Sequence, residues 1–327
     1  MDTALLIVLA LILCAEFING WTDAPNAIAT VVGTRVLTPM KAILLAAVLN
    51  TIGAMSGTAV AVTIGKNIVD PSVIDLSVIS GAMVGIVIWS VAAWFRGLPT
   101  SESHALVAGL AGAGLAVAGP SVLLWAGWQK VIIGLLFSTF LGFGGAFIFA
   151  KILRYFFASS SPLLCRKNFG RLQILSSSFM MFSHGSNDGQ KFIGVFSLAL
   201  LLGGVYTTFT VPFWVILLCA GVMGIGTSVG GYRIIRTMGM RMAPLDVYQG
   251  FAAETVAASA IEIASRLGVP VSTTHMINTS IMGVGVASRA TSVRWPVVKE
   301  IVTAWILTFP VCGAISYIVT ICLRAIL

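Results

Sequence analysis

The sequence predicts an all-α polytopic membrane protein made of two inverted-topology repeats, each with a broken helix and a re-entrant helical hairpin. Three observations predict it. The 327-residue chain is 58% hydrophobic and only 9% charged, with a mean hydropathy of +1.01. Its apolar residues fall in ten long runs joined by short loops. Two pairs of polar motifs recur in the same order in both halves.

A water-soluble domain carries about 25% charged residues, so this composition excludes the soluble class. The runs lie at about 4–21, 42–64, 76–96, 100–119, 121–150, 172–203, 209–230, 246–265, 271–288 and 297–323. Each approaches the roughly 20 residues that a spanning helix needs. They are continuous rather than short and alternating, so they span as helices and not as barrel strands. The net charge of +8 comes from basic residues gathered in loops. It therefore reports orientation in the bilayer, and no nucleic-acid partner is expected. Cys14, Cys165, Cys219, Cys312 and Cys322 form no CxxC pair and no Cys/His cluster, so no disulfide or metal framework is read. Met-Asp-Thr-Ala at the start has no basic n-region, and the first run reads as a retained span.

The longest polar stretch, 151–171, divides the chain into an N-terminal repeat (1–150), a basic connecting loop and a C-terminal repeat (172–327). Gly20-Trp21-Thr22-Asp23 returns as Gly185-Ser186-Asn187-Asp188, an offset of 165 residues (188 − 23). Pro99-Thr100-Ser101-Glu102-Ser103-His104 returns as Pro270-Val271-Ser272-Thr273-Thr274-His275, an offset of 171 (275 − 104). Two motifs kept in order at nearly one spacing are an internal repeat.

Basic residues belong on the cytoplasmic side. The clusters Arg35/Lys41, 151–171, Arg233/Arg236/Arg241 and Arg289/Arg294/Lys299 all fall inside under one arrangement, whereas the loop with Lys66, Asp70 and Asp75 is not net basic. The first run enters from outside and breaks near Asp23, and 42–64 returns. Runs 76–96 and 100–119 dip in and out as one hairpin, and 121–150 crosses inward. The second half repeats this order from inside. The central loop is then cytoplasmic and both termini are outside, in the cell (inner) membrane. Full crossing by 76–96 and 100–119 has the same parity and stays open.

Ionised residues within a span cost about 2.5–3.5 kcal/mol on insertion scales, which makes each a functional candidate. Asp23 and Asp188 are such residues, with Thr22, Asn26, Asn187 and Gln190 beside them. Pro25 breaks the helix after Asp23. A carboxylate, freed carbonyls and amide or hydroxyl oxygens make a hard-cation site suited to sodium; a capping aspartate at an ordinary kink is the bland alternative. Ser101 and Ser272 read as N-caps. Each opens a helix whose first amides and hydroxyls (Ser103, Thr274) suit an oxyanion. Two inverted repeats would bring the two starts face to face, with capping alone as the alternative. His104 and His275 read as structural residues or proton carriers. Glu102 stands where the second copy has Thr273, and pairs with Arg96 or binds a cation. Arg96 and Arg266 either draw in the anion or neutralise Glu102 and Glu262. Lys191 stands where the first copy has Asn26, as a substrate contact or internal counter-ion. Glu16 and Glu254 are buried charges without an assignment. The glycines, such as Gly112 and Gly226, are read as packing positions, and no GxxxxGK[ST] loop points to an ATP-driven pump.

These motifs resemble the paired Gly-x-Asn-Asp signatures, and the paired Pro-x-Ser-Thr-Thr-His turns, of the inorganic phosphate transporter family. The resemblance covers essentially the whole chain. It implies secondary transport of phosphate driven by sodium or protons, no cofactor, and sodium ions as co-transported ligands. Carried over by position, Thr22, Asp23, Asn26, Asn187 and Asp188 would serve the cation. Ser101, Ser103, Ser272, Thr273, Thr274 and Gln190 would serve phosphate. Glu102, His104, His275, Lys191, Arg96 and Arg266 would couple or balance charge. The chain departs from the pattern at Thr22, Glu102 and Lys191. A sodium/phosphate symporter is the expected function. A proton-coupled phosphate or sulfate permease of the same fold is the alternative, followed by a passive anion channel. No HExxH or GxSxG points to an enzyme. The oligomeric state is left open, a homo-oligomer included.

Overall fold

A computed structural model describes residues 2–67 and 74–326, without the side chains of 66 and 67. Asp70, part of the loop weighed above for its charge, lies outside the described residues, as does the side chain of Lys66. The first half runs α1 (Thr3–Thr22), a 3-10 turn (Ala24–Ala27), α2 (Ala29–Gly33), α3 (Pro39–Ala54), α4 (Ala59–Asn67), α5 (Leu76–Phe95), α6 (Glu102–Ala118) and α7 (Trp125–Phe156). The second runs α8 (Pro162–Leu202), α9 (Phe213–Val229), α10 (Tyr232–Arg236) with a π turn (Thr237–Met242), α11 (Val247–Arg266), α12 (Thr273–Ser288) and α13 (Trp295–Ile326). Among the described residues, five helical spans are long and apolar enough to cross a membrane, and two bent pairs raise this to seven. The most polar long helix, α8, carries much of the buried polar centre.

The packing has the symmetry of the sequence repeat. α6 packs on α13 as α12 packs on α7, and α1 packs on α9 as α8 packs on α3. Each half therefore completes the other, and neither buries its polar face alone. The glycines that open the two aspartate motifs make this possible. A Cβ at Gly20 would lie 2.2 Å from the Met223 carbonyl on α9, and one at Gly185 would lie 2.1 Å from the Asn50 carbonyl on α3. Only a bare backbone lets those helices approach so closely.

The hairpins are matched as well. α5 ends on Gly97 and α11 on Gly268, both at φ +67°, a left-handed conformation that glycine adopts without strain. The same pair of closing bonds follows in each: Leu98 N–H to Ala93 O and Gly97 N–H to Trp94 O in one, Val269 N–H to Ala264 O and Gly268 N–H to Ser265 O in the other. This is the Schellman ending of a helix. Ser101 and Ser272 then cap the returning helices, accepting from His104 N and His275 N. In an inverted pair, hairpins that crossed fully would put their turns on opposite faces of the membrane. Here Ser272 Oγ donates to Ser101 Oγ at 2.8 Å. The turns meet, so both hairpins turn back partway.

Two expectations need correction. The first-half helix breaks after Asp23, at Pro25, as the sequence predicts, but α8 runs unbroken through Asp188 for 41 residues. No proline follows Asp188, and nothing removes an amide from the ladder there. The second half breaks instead between α9 and α10, bent by 61°, and the first half has a matching 72° bend between α3 and α4. Nor is 151–171 a loop: α7 continues to Phe156 and α8 starts at Pro162, leaving only 157–161 between them. At 1.5 Å per residue α8 is about 60 Å long, roughly twice the hydrocarbon thickness. Its N-terminal turns, with exposed Arg166, Lys167 and Arg171, must therefore stand outside the bilayer.

Candidate substrate and cation site

At the centre, each aspartate meets a hairpin tip. Asp23 ends α1, and its Oδ1 accepts from Thr274 Oγ1 at 2.5 Å and from Asn26 Nδ2. Asn26 Nδ2 also reaches Thr274 Oγ1 at 3.2 Å, and Thr274 lies 3.3 Å from the Thr100 carbonyl. Asp188 Oδ2 accepts from Thr273 Oγ1 at 2.7 Å, while its Oδ1 accepts from Lys191 Nζ. Lys191 Nζ also donates to Ser103 Oγ and, at 3.0 Å, to the Val271 carbonyl. Ser103 Oγ donates to Val271 O at 3.0 Å. All of these side chains are buried.

The centre is rich in carboxylates. Glu102 Oε1 accepts from Thr22 Oγ1 at 3.1 Å, and Glu16 Oε2 accepts from Asn19 Nδ2 at 3.0 Å. Glu16, Asp23, Glu102 and Asp188 share one electrostatic neighbourhood with Lys191. Asp23 Oδ2, Asn26 Oδ1, Glu102 Oε2, Glu16 Oε1 and Asn187 Oδ1 are buried without a protein partner. Orphaned buried oxygens are costly, and a cation or proton would satisfy them. Asp23, Asp188 and His184 each bring a ligand atom within 4.8 Å of the others. His184 lies one turn before Asp188, with Nε2 3.2 Å from Asp188 Oδ2 and Nδ1 3.2 Å from Asn50 Oδ1.

The anion side lies next to this. The first turns of α6 and α12 face each other at the Ser101–Ser272 contact, with their leading amides free of helical acceptors. A small crevice there is lined by Ser103, His104, Lys191, Pro270 and Ser272.

A phosphate transporter family model matches residues 19–316. The chain belongs to the phosphate transporter family. The curated relatives and the solved structure that resemble this transporter agree. It is 39% identical to a probable low-affinity inorganic phosphate transporter of Bacillus subtilis over 98% of both chains. It is 41% identical to one of Rhizobium meliloti, over 94% of this chain and 93% of that protein. A solved structure described as the sodium-dependent phosphate transporter superposes over 100% of both chains at 26% identity, with a TM-score of 0.89. Family and relatives are transporters and not enzymes, and this transporter is a multi-pass membrane protein.

Most of the residues singled out from the sequence converge on this centre, but several stand elsewhere. Gln190 turns away from the tips: its Nε2 donates to Ser186 O at 2.6 Å and its Oε1 accepts from Val60 N at 3.0 Å, at the start of α4. Thr273 and Thr274, expected at the anion, have hydroxyls committed to Asp188 and Asp23. Asn187 Nδ2 bonds Ser265 Oγ at 2.9 Å and so ties α8 to α11. Arg96 is exposed while Glu102 is buried, and no ion pair joins them among the described residues. The longer-range contacts of that turn explain this: Glu102 faces Thr22 on α1. Arg266 pairs with Glu262 at 2.7 Å on the surface. His104 and His275 pack edge to face at 4.4 Å, and His275 stacks on Trp305 at 3.7 Å. Glu254 lies apart, accepting from Thr30 Oγ1 and Ser176 Oγ, both at 2.5 Å, and from Gln173 Nε2. It fastens α2 and α8 to α11. His184 has no histidine at its repeat position, which is Asn19, but its i, i+4 spacing from Asp188 puts both on one helix face.

Proposed function

We propose that this transporter is a secondary active symporter that imports inorganic phosphate with sodium across the cell membrane. One observation carries the coupling: four buried carboxylates (Glu16, Asp23, Glu102, Asp188) share the centre with a single ammonium, Lys191. Bringing a phosphate anion beside these carboxylates is unfavourable in a low dielectric unless a cation or protons neutralise them. A cation bound first at Asp23 cancels charge and makes the anion site favourable, so each ligand raises the affinity for the other. Thr274 links the two sites physically, since its hydroxyl bonds Asp23 and its backbone lies in the first turn of α12. Phosphate then binds between the facing starts of α6 and α12, held by their amides and by Ser101, Ser103 and Ser272. The name of the structural neighbour supports sodium as the driving ion. Basic clusters at the α7–α8 junction and around Arg233 face the cytoplasm, which leaves both termini outside.

A proton as driving ion is favoured by one observation: Glu102 holds the place of a hydroxyl in the other half and keeps one oxygen without a partner. Uptake of labelled phosphate into proteoliposomes separates the two. Accumulation under a sodium gradient, lost in Asp23→Asn and in Asp188→Asn, is expected. Accumulation under a proton gradient alone would move the coupling to protons. Full sodium-driven uptake in both variants would overturn the assignment of the aspartates.

A further inference from the structure

The two halves build the same corner twice from equivalent positions. The first corner consists of Asp23, Asn26 three residues on, Thr274 from the opposite hairpin, and the Thr100 carbonyl. The second consists of Asp188, Lys191 three residues on, Ser103 from the opposite hairpin, and the Val271 carbonyl. The corners differ in two respects: Lys191 stands where the first has Asn26, and the second oxygen of Asp188 also meets Thr273 Oγ1 at 2.7 Å and His184 Nε2 at 3.2 Å. At the second, an ammonium sits among a carboxylate, a hydroxyl and a backbone carbonyl, which is the oxygen set that a small hard cation takes in transporters. Its three N–H donors are matched by three oxygens, and the side chain is 1% exposed. Both oxygens of Asp188 are thereby engaged, one by Lys191 and one by Thr273. At the first corner the neutral Asn26 brings no charge, and Asp23 Oδ2 and Asn26 Oδ1 are left buried without partners.

We propose that the Lys191 ammonium is a tethered cation that permanently fills the second corner, so that this transporter binds one mobile cation fewer per phosphate than two equal corners would hold. The mobile cation binds at the Asp23 corner, where the unpartnered oxygens are. Lys191 supplies its charge in every state of the cycle and cannot be carried across, so it neutralises Asp188 without contributing to the driving force. The inference rests on the cation-symport reading and adds to it a count and a location.

Thermodynamic linkage tests it at equilibrium. The slope of log Kd for phosphate against log cation concentration gives the number of cations bound with the anion. Phosphate binding to the purified transporter is measured over a range of sodium at fixed pH, and over a range of pH at fixed sodium. The proteins compared are the wild type, Lys191→Asn and Asn26→Lys, each checked for monodisperse elution. Lys191→Asn reopens the second corner. Its slope is one cation steeper, so that each tenfold change in cation moves the phosphate Kd by about a further tenfold. Asn26→Lys fills the first corner and makes the slope one cation shallower, which provides a second test if Lys191→Asn does not fold. A Lys191→Asn slope equal to that of the wild type overturns the proposal. So does a phosphate Kd weakened in that variant by the same factor at every cation concentration, since Lys191 would then be a phosphate contact. A wild-type slope of zero for both sodium and protons overturns the symport reading itself, a result distinct from the other two.

Discussion

Thr274→Val removes the hydroxyl through which the tip of the second hairpin bonds Asp23. Valine matches threonine in shape, so the packing of this fully buried side chain is retained. What is lost is the 2.5 Å bond from Oγ1 to Asp23 Oδ1 and the acceptor for Asn26 Nδ2 at 3.2 Å. A hydrogen bond to a charged group contributes about 1.5–3 kcal/mol. With about 1.4 kcal/mol for each tenfold change in an equilibrium constant, the cation concentration for half-maximal phosphate uptake should rise about 10- to 150-fold. Thr274→Ser keeps the hydroxyl and should stay near the wild type. The assay is the cation dependence of labelled phosphate uptake in proteoliposomes containing equal amounts of each protein. A valine variant with the wild-type cation requirement would refute the link between Asp23 and the α12 tip.

Two stability predictions follow from the packing. Gly185→Ala places a Cβ 2.1 Å from the Asn50 carbonyl and 2.6 Å from its Cα. α3 and α8 must separate, at the roughly 1–3 kcal/mol typical of overpacking, and the melting temperature in detergent should fall; an unchanged value would contradict the close approach. Glu254→Ala strips the acceptor from Thr30, Ser176 and Gln173, at about 1–3 kcal/mol for each group left unpaired. Glu254→Gln keeps an acceptor and should melt well above the alanine variant, whereas equal melting of the two would show that the carboxylate holds nothing together.

Much of this architecture was legible because membrane insertion penalises the residues that matter. Asp23 and Asp188 stand out in apolar runs, and their recurrence with the Pro-x-Ser turns exposes the repeat. The serine caps and the proline break at Pro25 depend on local chemistry, and both were readable. Features fixed by tertiary packing were not. The bend between α3 and α4 falls at Met55-Ser56-Gly57-Thr58, which contains no proline to mark it. The continuity of α8 through Asp188 follows from what is missing after that residue, although symmetry with Asp23 suggested otherwise. Pairing Glu102 with Arg96 relied on nearness in sequence. The fold instead turns Glu102 toward Thr22, 80 residues away in the chain. Lys191 was visible as a departure from Asn26, but two of its three oxygen partners, Ser103 and Val271, come from the two hairpins and only the folded chain assembles them.

The central claim is that the two hairpin tips meet beside Asp23 and Asp188 to form one transport centre. It is tested most directly by Ser101→Cys with Ser272→Cys, with the five native cysteines replaced. The serine oxygens are 2.8 Å apart, which puts the paired thiols within the reach of a disulfide, whose Cβ atoms lie about 3.5–4.5 Å apart. Mild oxidation in the membrane should join the two thiols and arrest phosphate uptake, and reduction should restore it. Thiols that both stay free under oxidant, in a protein that still transports phosphate, would contradict it.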